Sequence, residues 1–265
     1  MKKLIFQFVA LAVVSFSLSC EKVIDVPLNE ADQEIVVEAI GRNFLGESYI
    51  LISKSGSVYD NSDFEKLTDA IVTVTDQDEV ETVFVHDPLN PGTYLAPTFV
   101  ALPNSSYQLS VLTGGEVLSA SGTTNSIPMI DSLNTILIPP GFGSEDTTFL
   151  LFYNFVDNAA ETNFYRVRAW VNGVADDNYY LGDDVLGNGQ ATSAPLFATE
   201  IKSKDTVQLE LLSMDEDAYK YLTTLSSNLS SGAFGATPAN PVTNIDNAIG
   251  YFGVYMVDTM SIIMP

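Results

Sequence analysis

The chain is short of the residues on which most metal, redox and hydrolytic chemistry depends. It has one cysteine, one histidine and one tryptophan among 265 residues, and 11 basic residues against 34 acidic ones. A lone cysteine excludes an intrachain disulfide and a thiolate metal site. A lone histidine, His86, excludes zinc sites built from several imidazoles. Any Ser-His-Asp triad would have to use His86, which sits in Val83-Phe84-Val85-His86-Asp87-Pro88, where a strand runs into a turn. That is a place for a surface histidine. No Gly-x-Ser-x-Gly elbow, phosphate loop or dinucleotide fingerprint occurs. Thirty-four acids make some pair of carboxylates at glycosidase spacing inevitable, so such a pair carries no information. The expectation is no catalytic residue, no cofactor and no enzymatic activity.

Basic residues are also too few for nucleic acid. The formal net charge is −23, and a chain without a basic stripe is repelled by phosphates and by anionic lipid surfaces. A charge of this size confers solubility outside the cytoplasm, with attraction of cations as the second reading.

What is present begins with a leader. Lys2 and Lys3 open the chain, Leu4 to Leu18 is apolar apart from Gln7, Ser15 and Ser17, and Ser17-Leu18-Ser19-Cys20 closes the segment. Charged, apolar and small-residue regions in this order make a secretory leader. A transmembrane helix needs about 20 mainly apolar residues, and this run is shorter. Residues 1–19 are therefore expected to be a lipoprotein signal peptide, with diacylglycerol on the Cys20 thiol and residues 20–34 as anchor and linker. Ser17 stands where such leaders prefer leucine. Each buried CH2 contributes about 0.8 kcal/mol, so two or more acyl chains hold a protein stably on a bilayer.

The body that follows reads as strands and turns. Ile35 to Ile40, Tyr49 to Ile52, Ala70 to Thr75, Thr82 to Val85 and Tyr107 to Leu112 are short and rich in β-branched or aromatic residues. Between them fall Gly41, Gly56, Asn90-Pro91-Gly92, Pro103-Asn104 and Gly114-Gly115. This punctuation predicts an Ig-like β-sandwich over residues 35–126, with Ile127-Pro128 beginning a less regular connector. A second β domain is expected over 127–265. In it, Thr147 to Phe155 and Asn163 to Val171 are aromatic-rich, and Ala248 to Val257 and Met260 to Met264 read as closing core strands.

One segment breaks the pattern. Ser213-Met214-Asp215-Glu216 matches a capping box, and Ala218, Leu222, Leu225 and Leu229 make an apolar stripe at helical spacing. A helix over about 214–229 is predicted, packed on the second β unit.

Two constellations could bind something. Arg166 and Arg168 share a strand face with Phe164 and Trp170, which is either a stacking platform or a solvent face where long stems cover rings. Asp176, Asp177, Asp183 and Asp184 surround Tyr179-Tyr180-Leu181-Gly182. Several oxygens beside flexible glycines could suit calcium. The spacing is not that of an EF-hand, and a solvated acidic turn explains it as well.

Several blocks stand out together: Cys20 to Val26, Ile35 to Glu38, Leu67 to Val74 and Asn90 to Tyr94, then Asn163 to Arg166, Asp184 to Gly189 and Ala218 to Leu222. The most specific is Asn244-Ile245-Asp246-Asn247-Ala248-Ile249-Gly250-Tyr251-Phe252-Gly253. In these blocks the chain resembles the Bacteroidota lipoprotein family known as domain of unknown function 4249. The family usually has two tyrosines where this chain has Phe164-Tyr165. The resemblance implies an Ig-like or transthyretin-like sandwich, a second β domain and an outer-membrane address through lipid on Cys20. It also implies partnership with a TonB-dependent transporter in nutrient uptake. A structural or adhesive cell-surface protein is the other reading.

Overall fold

The β-branched and aromatic runs form strands because alternate side chains then reach a core while their neighbours face water. A computed structural model describes residues 32–56, 64–141, 145–231 and 240–265, with side chains except at 198, 199, 230 and 231. The leader, Cys20 and the linker through residue 31 lie outside the described residues, as does most of the loop after the helix.

The first strands are β1 (Ile35–Arg42), β2 (Tyr49–Lys54), β3 (Ile71–Asp76), β4 (Glu81–His86), β5 (Thr93–Leu95), β6 (Ser106–Thr113) and β7 (Glu116–Thr123). Next come β8 (Ile130–Ile138), β9 (Thr148–Val156), β10 (Phe164–Val171), β11 (Val174–Ala175) and β12 (Tyr180–Asp183). The chain continues through β13 (Ala191–Ile201), β14 (Thr206–Met214), helix α1 (Glu216–Ser231), β15 (Ile245–Asp246) and β16 (Ile249–Ile263). The protein is mainly β. The stretch after Ile127 is no irregular connector, since β8 runs through it and pairs with β9 from Ile130 to Ile138.

One sheet runs β11-β10-β14-β16-β1-β2-β5-β4-β3-β6-β7-β15, with β12 on β10, and a second runs β13-β9-β8. The large sheet folds over on itself to enclose the first core, which includes Val37, Ile52, Val72, Leu109, Leu118 and Phe252. β7 comes so near β16 that a Cβ on Gly122 would meet Val254 at 3.2 Å and Phe252 at 3.3 Å. The second core lies between the small sheet and β10, β14 and the chain end. Leu151, Leu196, Val167, Leu209 and Leu211 form its centre. Burying each such leucine contributes about 1.5–3 kcal/mol.

A single strand serves both cores. From Ile249 to Tyr255, β16 pairs in parallel with β1. From Met256 to Ile263 it pairs antiparallel with β14 on its other edge. The two apolar closing segments expected from the sequence are thus one strand of 15 residues, which bridges the boundary expected at residue 126.

Two asparagine side chains extend its pairing. Asn43 accepts from Val257 N at 2.9 Å and donates to Val257 O at 3.0 Å. Asn244 does the same at Phe252, at 2.8 and 2.9 Å. A primary amide has the donor and acceptor of a peptide unit, so it continues a ladder where the backbone has turned away.

The helix is present, but its start differs from the expectation. Ser213 is the penultimate residue of β14, and its hydroxyl donates to Ser126 O at 3.1 Å. Asp215 is the cap instead, its Oδ1 accepting from Ala218 N at 2.8 Å and its Oδ2 from Thr123 N at 3.0 Å. The ladder to β16 keeps Ser213 extended, so the cap moves two residues on. Ala218 and Leu222 are buried and Leu225 partly so, whereas Leu229 is 66% exposed. The stripe packs on both halves of the large sheet, because Tyr221 stacks on Tyr251 at 4.5 Å and the same cluster contains Ile40 of β1.

Candidate functional site

The arginines and rings of the β10 face pack mainly on one another, although among the described residues Arg42 Nε, Arg166 Nε and Glu210 Oε2 are buried without a hydrogen-bond partner. Arg168 lies 4.7 Å from the Trp170 ring centroid, Arg166 4.9 Å from Tyr179, and Arg42 5.8 Å from Phe44. These three are all the arginines of the chain, and each covers a ring. Glu210, opposite Arg168 in the register of β14, receives Arg42 Nη2 at 2.8 Å and lies 3.6 Å from Arg168 Nη1. Arg42 reaches this face from β1, with β16 between its strand and that of Glu210. The face therefore ties the two halves of the large sheet together. Among the described residues Arg166 makes no ion pair, and its buried Nε has no hydrogen-bond partner.

The acidic segment leads elsewhere. Asp176 forms an Asx turn, its Oδ1 accepting from Asn178 N at 2.9 Å and its Oδ2 from Tyr180 OH at 2.7 Å. Asp183 accepts from Val185 N at 3.2 Å and Tyr219 OH at 3.3 Å. Asp184 points inward and accepts from Asn163 N at 2.9 Å. Among the described residues no group of three or more histidine, cysteine, aspartate or glutamate side chains could hold a metal ion. Asp176, Asp183 and Asp184 are used one by one as turn and strand-end acceptors, and Asp177 is exposed.

Behind this segment a cavity of about 410 Å³ opens between the two layers of the second core. Tyr165 and Val167 of β10 form its floor, Tyr153 and Phe155 of β9 face them, and β12 makes the rim. Its size is within the range of small-molecule sites, about 300–1,000 Å³. Strand alternation puts the rings there. Tyr165 and Val167 are the residues of β10 that point away from Arg166 and Arg168. Phe155 meets Tyr165 edge-on at 5.0 Å, and Tyr153 lies nearly parallel to Phe155 at 6.2 Å.

At the inner end Tyr165 OH donates to Asp157 Oδ1 at 2.5 Å, and Gly189 N donates to Oδ2 at 2.7 Å. Burial, and then the carboxylate it serves, push the Tyr165 hydroxyl far above its ordinary pKa, so it remains a donor. Gly189 must be glycine, because its φ is +75° and a Cβ there would lie 2.7 Å from that of Ala159. Burial alone raises the Tyr153 pKa. Nothing in the sequence singled out Tyr153, Phe155, Asp157 and Tyr165 as a set. The only available signal was the density of rings on two successive strands.

A wider cleft of about 770 Å³ lies where β1 begins, between Gln33–Ile35, Thr113–Glu116 and Asn240–Ile249. Among the described residues no aromatic ring lines it.

A β-sandwich layering with a ring-lined cavity describes a class of architecture, and comparison with known proteins supplies the family. The chain belongs to the family described as domain of unknown function (DUF4249), whose model matches residues 21–261. Among curated proteins none matches. Among solved structures, a two fibronectin type-III domain segment from chicken tenascin is 10% identical, covering 70% of this chain and 91% of its own, with a TM-score of 0.22.

Proposed function

We propose that the protein is a lipid-anchored, non-enzymatic binding protein of a bacterial outer membrane, of the Bacteroidota type. In this reading it holds a small nutrient in the second core and passes it to a TonB-dependent transporter. The cavity beneath β12 is the observation that carries the binding role. It is walled by aromatic rings and is also lined by the carboxylates of Asp157, Asp183 and Asp184. The Lys2 to Cys20 leader supports the anchor, and the acidic body suits an aqueous envelope compartment. Among the described residues no helix is long and apolar enough to cross a membrane. Mass spectrometry of the native protein tests the anchor, and an unmodified Cys20 would defeat it. Affinity purification from native membranes tests the partner. Recovery of a TonB-dependent transporter is expected, and its absence would sink the uptake role.

A structural or adhesive role has one observation in its favour. Ile71, Leu112 and Val117 lie side by side across β3, β6 and β7, and all three are exposed. A deletion strain separates the readings. Loss of growth on one nutrient supports binding and uptake, whereas loss of attachment with normal uptake supports adhesion.

A further inference from the structure

Resting on that binding role, we propose that the cavity takes a small organic cation, an amine or quaternary ammonium. Asp184 would be its counter-charge, and the rings of Tyr153, Phe155 and Tyr165 its walls. Among the described residues the charged groups of the lining are Asp157, Asp183 and Asp184, with no lysine, arginine or histidine. An anion would meet three carboxylates and no base.

The hydrogen bonds show which carboxylate is open. Asp157 has a donor on each oxygen, from Tyr165 and Gly189. Asp183 likewise has Val185 N and Tyr219 OH. Asp184 is only 6% exposed, yet it has one donor, Asn163 N on Oδ2. Among the described residues nothing donates to its Oδ1. Asp184 borders the cavity, and its Oδ1 is not among the fully buried unpartnered atoms, so it is open to a ligand there; an ammonium group in the cavity would supply the second donor and the counter-charge.

A second polar group is open in the same space. The Tyr153 hydroxyl has no hydrogen-bond partner among the described residues, and burial keeps it protonated. It is available to a polar substituent on the ligand. The near-parallel rings of Tyr153 and Phe155 and the edge-on Tyr165 supply π faces that attract a cation. Tyr179 is left out of this set because Arg166 already lies 4.9 Å from its ring.

The test titrates the full chain, purified in detergent, by calorimetry with choline, with its uncharged isostere 3,3-dimethyl-1-butanol, and with methyl glucoside. Choline should bind at least tenfold more tightly than the isostere. Asp184→Asn should weaken choline at least tenfold and bring the two probes together. Tyr153→Phe keeps the ring and should cost severalfold. If Asp184→Asn fails to fold, Tyr153→Phe and the choline-to-isostere ratio decide. Equal affinity for choline and its isostere overturns the proposal, as does binding of the glucoside alone or of none of the three at millimolar concentration. Choline binding without any co-purified transporter would instead sink the uptake reading and leave the cation site intact.

Discussion

A side chain at position 250 would place its Cβ 1.9 Å from the carbonyl oxygen of Val37. Gly250 is the second residue of the parallel pairing of β16 with β1, opposite Val37, at φ +122°, a region that residues with a Cβ rarely enter. This accounts for the first glycine of the Asn244 to Gly253 block. The second is explained by Tyr255, whose hydroxyl would lie 2.7 Å from a Cβ on Gly253. Gly250→Ala is expected to cost about 3 kcal/mol or more, since backbone strain and overpacking each cost about 1–3 kcal/mol. Gly253→Ala should cost less, because a side chain can move aside where a strand backbone cannot. Chemical denaturation of the two variants should preserve that order.

Arg42 and Glu210 are 8% and 6% exposed. Glu210→Leu strands the Arg42 guanidinium, whose other acidic partner is the half-exposed Glu47 at 3.1 Å. Breaking a buried pair from one side costs about 3–5 kcal/mol, whereas an apolar replacement of both partners is often neutral. Arg42→Met with Glu210→Leu should therefore recover most of the stability lost by Glu210→Leu alone. A double variant no more stable than the single one would show that the pair contributes more than mutual compensation.

Asp215 both caps α1 and receives Thr123 N from β7. Asp215→Ala should cost about 1–2 kcal/mol, as expected for loss of an N-cap. Asp215→Asn keeps one acceptor for Ala218 N but sets an amide NH2 against Thr123 N–H, so it should recover only part of that loss. Equal losses in urea melts would mean that the bond to Thr123 N, not the cap, carries the stability.

The protein should lose stability between pH 10 and 12. Burial of Tyr255 raises its pKa from 10.0 to about 12, and Tyr251 beside it is raised in the same direction. A raised folded pKa means the contribution is complete below pH 10 and declines as the unfolded chain ionises first. For Tyr255 alone the loss is on the order of 2–3 kcal/mol. Tyrosinate absorbance should rise in two phases, the second coinciding with loss of the far-ultraviolet signal. A single early phase with the fold intact would contradict the burial.

Much of this architecture was legible in the sequence. β1, β2, β3, β4, β6, β9 and β10 fall on the runs chosen for β-branching and aromatic content, because those side chains fit a pleated, half-buried surface. β7 was harder to see, since its Leu118-Ser119-Ala120-Ser121-Gly122 is built from small residues selected by the nearness of β16. β8 was read as a connector because Asp131, Ser132, Asn134 and Thr135 dilute its apolar residues at an edge of the small sheet. The capping box at Ser213 failed because local spacing cannot register a ladder to a strand more than forty residues later.

What the sequence determined by itself was the strand vocabulary, the helix, the family and the exclusion of thiolate and multi-histidine sites. Each depends on residue type and short spacing. The tertiary structure alone decided that one closing strand serves two cores, that all three arginines share a face, and that Tyr153, Tyr165, Asp157 and Asp184 border one cavity. Those facts depend on which strand lies beside which, and pairing between residues far apart in the chain leaves no periodic trace in it.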